Sequence, residues 1–213
     1  MITLLFVCLL AGCSADAGQA QLDYDAGVKY MQGIGVTQDI PKGVALLQRA
    51  SDAGNASAQV SLGYLYIKGK NVPKDVTRGL ALFRKSALQG NLDAQYDMGL
   101  AYVRGEVVKA DFAEAMKWFQ MSALQDDAGS QYNLGVMYIS GEGTAKDPLT
   151  AYVWFKLAND KGYDGAKAGM DSAYALLTPE QLTNMDRELA RISGRVQRMK
   201  PVPQAPGNPD APL

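Results

Sequence analysis

The stretch Ala94-Gln95-Tyr96-Asp97-Met98-Gly99-Leu100-Ala101-Tyr102 shows how this chain folds. Met98 and Tyr102 are four residues apart, so they lie on one face of a helix. Gly99 lies inside that helix, where glycine costs roughly 1 kcal/mol relative to alanine. A glycine kept at such a position indicates that another helix crosses there, too closely to leave room for a side chain.

The same pattern recurs with a period of 36 residues, which is typical of a helical repeat protein. Five residue series share this phase, and they are too regular to arise by chance. They are Gly27, Gly63, Gly99 and Gly135; Tyr30, Tyr66, Tyr102, Tyr138 and Tyr174; Gly33, Gly69, Gly105 and Gly141; Asp39, Asp75, Asp111 and Asp147; and Leu47, Phe83, Phe119 and Phe155.

Each period predicts two antiparallel helices. Gly105 is expected to end the first helix as a C-terminal cap. Asp111 is expected to begin the second helix as its N-cap, with Glu114 completing a capping box. The apolar spacing of the second helix places Trp118 and Phe119 in the core.

A pair of helices cannot bury its own apolar face, so the units must stack on one another. The predicted fold is therefore an all-α, right-handed superhelical solenoid of antiparallel helix pairs with a C-terminal capping helix. The predicted solenoid spans residues 22–177, with units at 22–57, 58–93, 94–129 and 130–165 and a partial unit at 166–177.

The run Ala-Gln-Tyr-x-x-Gly-x-x-Tyr-x-x-Gly, followed by Asp and then Ala-x-x-Trp-Phe, resembles Sel-1-like repeats, a subclass related to tetratricopeptide repeats. The resemblance covers about residues 22 to 177. It implies adaptor and scaffold roles in protein complexes, including bacterial envelope assemblies. Because fold and function are separable, it specifies the fold more strongly than the activity.

The N-terminus carries a candidate address signal. A short apolar run ends in Leu10-Ala11-Gly12-Cys13, which resembles the lipobox of bacterial lipoproteins, although the first residues lack a basic side chain. The resemblance implies a signal peptide at 1–13, lipidation (palmitate) of Cys13, and a flexible tether at 14–21. Ser14 after the cysteine favours, by likeness to Gram-negative lipoproteins, an outer-membrane anchor facing the periplasm. The alternative is an apolar N-terminus with an incidental cysteine.

Beyond the repeats, residues 178–200 are predicted to form the capping helix. Thr178 is its expected cap, and its apolar residues follow a heptad spacing. The alternative is a dimerisation or partner helix. Residues 201–213 contain five prolines and are predicted to be an extended, disordered tail.

The candidate binding surface consists of first-helix residues that vary between units. If the units stack as in tetratricopeptide arrays, these residues line a concave groove suited to capturing a peptide or helix. They are Tyr24, Val28, Tyr64, Ile67, Lys68, Tyr96, Leu100, Arg104, Tyr132 and Val136. The alternative is that the apolar members of this set only complete the packing between neighbouring helices.

Composition argues against most other function classes. The chain has no histidine, which removes imidazole-based triads and most zinc sites. Its net charge of −1 does not suit nucleic-acid binding. We therefore expect no catalytic residue, no metal, no cofactor, no small-molecule substrate and no nucleic-acid partner, and contact with a membrane only through a lipid anchor.

The predicted function is binding of another protein, as a lipid-anchored adaptor or scaffold in the bacterial envelope. The alternative is an immunity protein that inhibits a secreted effector in the periplasm.

Overall fold

A computed structural model describes the backbone of residues 3–199 and the side chains of residues 17–199. The described residues form ten α-helices and no strand. In chain order the helices are α1 (Thr3–Gln32), α2 (Ile40–Asp52), α3 (Ala56–Lys68), α4 (Val76–Leu88), α5 (Leu92–Arg104), α6 (Phe112–Leu124), α7 (Ala128–Ser140), α8 (Pro148–Asp160), α9 (Ala166–Tyr174) and α10 (Pro179–Met199).

The helices keep the 36-residue period of the sequence. Helices α3, α5 and α7 begin one period apart, and so do α2, α4, α6 and α8. The predicted fold class, an all-α solenoid of antiparallel helix pairs, is thus confirmed. The chain divides into two compact units within α6, the first ending at Trp118 and the second beginning at Phe119.

Side-chain caps fix where the helices begin. Asp39, Asp75 and Asp111 each accept a hydrogen bond from the backbone N–H three residues later, at 2.9–3.0 Å. The first helices have caps of their own, because Asn55 and Asn91 accept from the N–H groups of residues 58 and 94. The first helices therefore begin two residues before the predicted unit boundaries.

A backbone hydrogen bond closes the loop between the two helices of each pair, and it takes the place of the expected capping box. The N–H of Asp111 donates to the carbonyl of Tyr102 at 3.0 Å, so it is not available to Glu114. Glu114 instead pairs with Lys117 at 2.7 Å. The Tyr–Asp backbone bond recurs in the other repeats, which ties each second helix to the first helix before it.

Glycines mark the crossing of paired helices, as predicted. A Cβ atom at Gly63 would lie 2.6 Å from the Phe83 ring and 3.1 Å from the carbonyl oxygen of Gly79. A Cβ atom at Gly79 would lie 2.7 Å from the carbonyl oxygen of Gly63 and 2.6 Å from Ile67. The backbones of α3 and α4 therefore approach more closely than any side chain allows.

Buried glutamines join each pair to the next. Gln59, Gln95 and Gln131 are at most 1 % exposed. Each side-chain amide donates to a backbone carbonyl eight residues earlier, at 2.9–3.3 Å. These bonds hold the start of a first helix against the end of the preceding second helix.

The N-terminal segment differs from its prediction. Residues 14–21 lie inside α1 instead of forming a flexible tether. Alanine and glutamine dominate this segment and favour helix. Asp23 pairs with Arg49 at 2.8 Å, and Asn55 donates to Gln21 at 3.0 Å, so the segment is held against the first repeat. The side chain of Cys13 lies outside the described residues.

The C-terminal helix α10 packs on α8, as the capping interpretation predicts. Ile192 and Val196 are buried, whereas Leu182 and Met199 at its two ends are 39 % and 54 % exposed. Only the middle of the predicted heptad seam is therefore covered. The predicted tail at 201–213 lies outside the described residues.

Within the described part of the chain, we find no helix with the length and apolar character needed to cross a bilayer.

We expect Gly63→Ala to lower the free energy of unfolding by about 1–3 kcal/mol, because the new methyl group overlaps the Phe83 ring and must push α3 and α4 apart. Gly194→Ala in α10 is the matched control. Its nearest neighbour is the Arg198 guanidinium at 3.5 Å, so we expect no loss. Urea denaturation measures both, and equal stability of the two variants would contradict the close-crossing interpretation.

Candidate functional site: a groove on the first helices

The first helices of the unit that ends at Trp118 line two open cavities at equivalent repeat positions, and the groove is the name we give to the surface that contains both. The first cavity encloses about 370 Å³ between α1, α2, α3 and their loops. Its lining residues are Val28, Met31, Gln32, Gln38, Ile40, Leu47, Ser61, Leu65, Lys70 and Asn71.

The second cavity lies one repeat further along and encloses about 110 Å³. Its lining residues are Tyr64, Ile67, Lys68, Phe83, Asp97, Leu100, Ala101, Arg104, Glu106 and Val107.

The two cavities are built from equivalent repeat positions. Most lining residues of the first cavity have a counterpart 36 residues later that lines the second. These counterparts are Tyr64 for Val28, Ile67 for Met31, Lys68 for Gln32, Phe83 for Leu47, Asp97 for Ser61, Ala101 for Leu65, Glu106 for Lys70 and Val107 for Asn71. The repeat thus provides the same recess twice, and the side chains at these positions decide its size and charge.

Tyr64 dominates the second cavity. Its ring packs edge-on against Phe83, with 4.9 Å between the ring centroids, and its side chain remains 43 % exposed. Its hydroxyl donates a hydrogen bond to the carboxylate of Asp97 on the next first helix. A tyrosine on α3 and an aspartate on α5 therefore bridge two successive repeats at the groove surface.

The bridge changes the acidity of both groups. Partial burial raises the pKa of the Asp97 carboxyl above its ordinary value, and the nearby charge of Asp93 adds to that. The hydrogen bond from Tyr64 and the charge of Arg104 act in the opposite direction. Burial, the hydrogen bond to Asp97 and the surrounding carboxylates all raise the pKa of the Tyr64 hydroxyl.

Two exposed cations, Lys68 and Arg104, line the second cavity. Lys68 ends α3 and Arg104 ends α5, where the negative end of each helix dipole favours a positive charge. In residues 17–199 neither side chain forms a hydrogen bond or an ion pair. Both remain exposed and available to an anionic group on a partner.

The structure brings together most, but not all, of the predicted groove residues. Val28 lines the first cavity. Tyr64, Ile67, Lys68, Leu100 and Arg104 line the second. Tyr24 and Tyr96 are half-buried and line neither cavity.

Tyr132 and Val136, predicted for the same surface, pack against the core of the unit that begins at Phe119. They contact a buried cluster of Ala151, Phe155 and Ala173. The Tyr132 ring also lies 5.1 Å from the ring of Tyr163. These contacts correspond to the packing alternative considered from the sequence.

Sequence reasoning did not connect Tyr64 with Asp97. The sequence feature that could have connected them is their spacing of 33 residues. This spacing is shorter than the 36-residue repeat by about one helical turn. That spacing places the two side chains diagonally across neighbouring first helices. Leu47, Ser61 and Leu65 of the first cavity were also missed, because the sequence gives no sign that the recess between the helices is left unfilled.

In the part of the chain with described side chains, no group of three or more metal-ligating residues is close enough together to hold a metal ion.

A family model for the Sel1 repeat matches residues 23–55, 56–91, 92–127 and 128–163. Among solved structures, a Sel1 repeat protein from Oxalobacter formigenes is 24 % identical with a TM-score of 0.69; the match covers 86 % of this chain and 74 % of that one. The protein c5321, a protective antigen of uropathogenic Escherichia coli strains with an SLR fold, is 22 % identical with a TM-score of 0.53; the match covers 92 % and 51 % of the two chains. No curated protein matches the sequence. These structural likenesses establish the fold.

We expect Tyr64→Phe to raise the pKa of Asp97 further, because the substitution removes the hydrogen bond that favours the ionised carboxylate. A pH titration of the Asp97 side-chain carboxyl, followed by ¹³C NMR, measures this directly. Tyr24→Phe is the control and should leave the titration unchanged. A lower Asp97 pKa in Tyr64→Phe would show that the hydroxyl does not stabilise the carboxylate.

Proposed function

The chain belongs to the Sel1 repeat family, whose members are generally protein-interaction modules, and from that premise we propose that it is a lipid-anchored adaptor. It binds a partner protein through the groove that contains the two cavities. The observation that carries this proposal is the recurrence of the recess at equivalent repeat positions, since a repeated recess suits a partner that lies along the helices.

The chemistry of the groove supports a protein partner. Tyr64 offers a partly exposed aromatic ring, and Arg104 offers an exposed guanidinium in the same cavity. Tyrosine and arginine are enriched among the residues that dominate protein–protein binding energy. The larger apolar recess one repeat earlier suits an anchoring side chain of a bound peptide or helix.

The anchor is proposed to be a lipid on Cys13, in the lipobox-like run Leu10-Ala11-Gly12-Cys13. Gln19 bonds to Asp23 at 3.0 Å, and Asp23 pairs with Arg49, so the chain is attached to the first repeat close to this cysteine. From residue 13 to residue 19, an α-helix rises about 9 Å. A lipid at Cys13 would therefore hold the repeats near the membrane surface, which we propose is the periplasmic face of the outer membrane.

We expect Tyr64→Ala combined with Arg104→Ala to abolish capture of the partner in a pull-down, because both groups project from the second cavity. Tyr174→Ala combined with Arg187→Ala is the matched control. It removes an exposed tyrosine and an exposed arginine outside the groove. Circular dichroism checks that both variants keep their helix content. Equal partner recovery with the two variants would refute binding through the groove.

We expect metabolic labelling with palmitate to mark the wild-type chain and not Cys13→Ser. Cys8→Ser is the control and should remain labelled, because only Cys13 follows the small residues Ala11 and Gly12. Membrane fractionation should release Cys13→Ser into the soluble fraction. An unlabelled wild-type chain would overturn the lipid anchor and leave binding through the groove unaffected.

A further inference from the structure

The first and second cavities share their scaffold but differ in what fills them. The place that Val28 takes in the first cavity is taken by the Tyr64 ring in the second, and Ser61 is replaced by Asp97. The tyrosine hydroxyl then bonds to the aspartate across the recess. Neither the ring nor the bond has a counterpart in the first cavity, and the enclosed space is about 370 Å³ there against about 110 Å³ in the second.

The first cavity is suited to an aliphatic group. Its walls are formed by Val28 and Met31 on α1, Leu47 on α2 and Leu65 on α3, with Ile40 at one end. A volume of this size lies at the lower end of the range for small ligands, which suits one large side chain. Gln38 closes the recess near Met31, because its amide donates to the Met31 carbonyl at 2.8 Å.

The rim of the first cavity carries a single positive charge. Among its described lining residues, Lys70 alone is charged and none is a carboxylate. The Lys70 ammonium forms no hydrogen bond or ion pair with any residue whose side chain the structure describes. A ligand that places an aliphatic group in the recess therefore meets an unpaired cation at its edge.

We propose that the first cavity receives an aliphatic side chain of the partner protein and that a carboxylate next to it on the partner pairs with Lys70. Tyr64, held by Asp97, closes the equivalent cavity one repeat further along, so that the groove takes such a side chain at only one of the two positions. This inference rests on the proposed function and specifies the chemistry of the partner.

The probe is N-acetyl-leucine, which joins a leucine side chain to a carboxylate. N-acetyl-leucine amide lacks the charge, and N-acetylglycine lacks the side chain. Binding is followed by NMR through the methyl resonance of Met31 in the full chain carrying Cys13→Ser. For so small a ligand we expect a dissociation constant on the order of 1 mM. The amide should bind about threefold more weakly, as for a partly exposed ion pair. N-acetylglycine should leave the Met31 methyl unshifted.

Substitutions in the two cavities sharpen the test, and Val28→Tyr copies the residue found one repeat further along. Val28→Tyr and Ser61→Leu fill the cavity from opposite walls, and each should abolish binding of the probe. Two fillers are used so that misfolding of one leaves the other informative. Lys70→Gln should make the acid and the amide bind equally. Tyr64→Val combined with Asp97→Ser and Glu106→Lys should open the second cavity and raise the stoichiometry from about one to about two, since it gives that cavity the residues found at positions 28, 61 and 70 of the first.

Three results would overturn the proposal. The first is an equal effect of N-acetylglycine and N-acetyl-leucine on Met31. The second is unchanged binding of the probe in both filled variants. The third is an unchanged stoichiometry in Tyr64→Val/Asp97→Ser/Glu106→Lys. None of these bears on whether Tyr64 and Arg104 are needed to capture the partner, so failure here is separable from failure of the adaptor role.

Discussion

The close crossing of paired helices is the constraint on which the rest of the structure depends. At Gly63 and Gly79 each backbone carbonyl oxygen lies only 2.7–3.1 Å from the position that a Cβ atom of the other residue would take. Gly27 and Gly43 repeat the arrangement in the first pair, with carbonyl oxygens 3.1 and 2.9 Å from the opposing Cβ positions. Such proximity fixes the separation and register of the two helices. The caps and the buried glutamines can therefore recur at the same positions in successive repeats.

The residues that recur every 36 positions pack the helices together. The positions between them can therefore differ from one repeat to the next. The Gly, Tyr and Asp series take part in crossings, loop closure and capping. Val28 and Tyr64 hold the same repeat position, yet one leaves a recess open and the other fills it. A scaffold held by backbone contacts tolerates such a difference, since the helix crossings at the glycines involve neither side chain.

The sequence predicts the parts of the fold that depend on local periodicity and capping. It predicts the helix pairs, the Asp caps and the left-handed Gly105 because each needs only neighbouring residues. It misses features set by distant contacts. The segment at 14–21 is helical and is held by the Asp23–Arg49 pair, whose members lie 26 residues apart. Tyr132 was predicted to face the groove, but its ring packs on Phe155 of the paired helix α8, 23 residues later in the chain.

In the candidate site too, the sequence predicts features that depend on neighbouring residues and misses those that depend on contacts between helices. Phase alone places Tyr64, Lys68 and Arg104 on the groove side of their helices, and the structure finds them around one cavity. The position of a residue within the repeat does not predict how much of the recess remains open. That depends on contacts such as the hydrogen bond between Tyr64 and Asp97, which lie on successive first helices. A repeat protein of this kind can thus change what it binds through two substitutions on adjacent helices while every crossing glycine stays in place. Under the proposed function, the residues that depart from the repeat determine which partner is bound, and the repeat supplies the rigid frame that holds them.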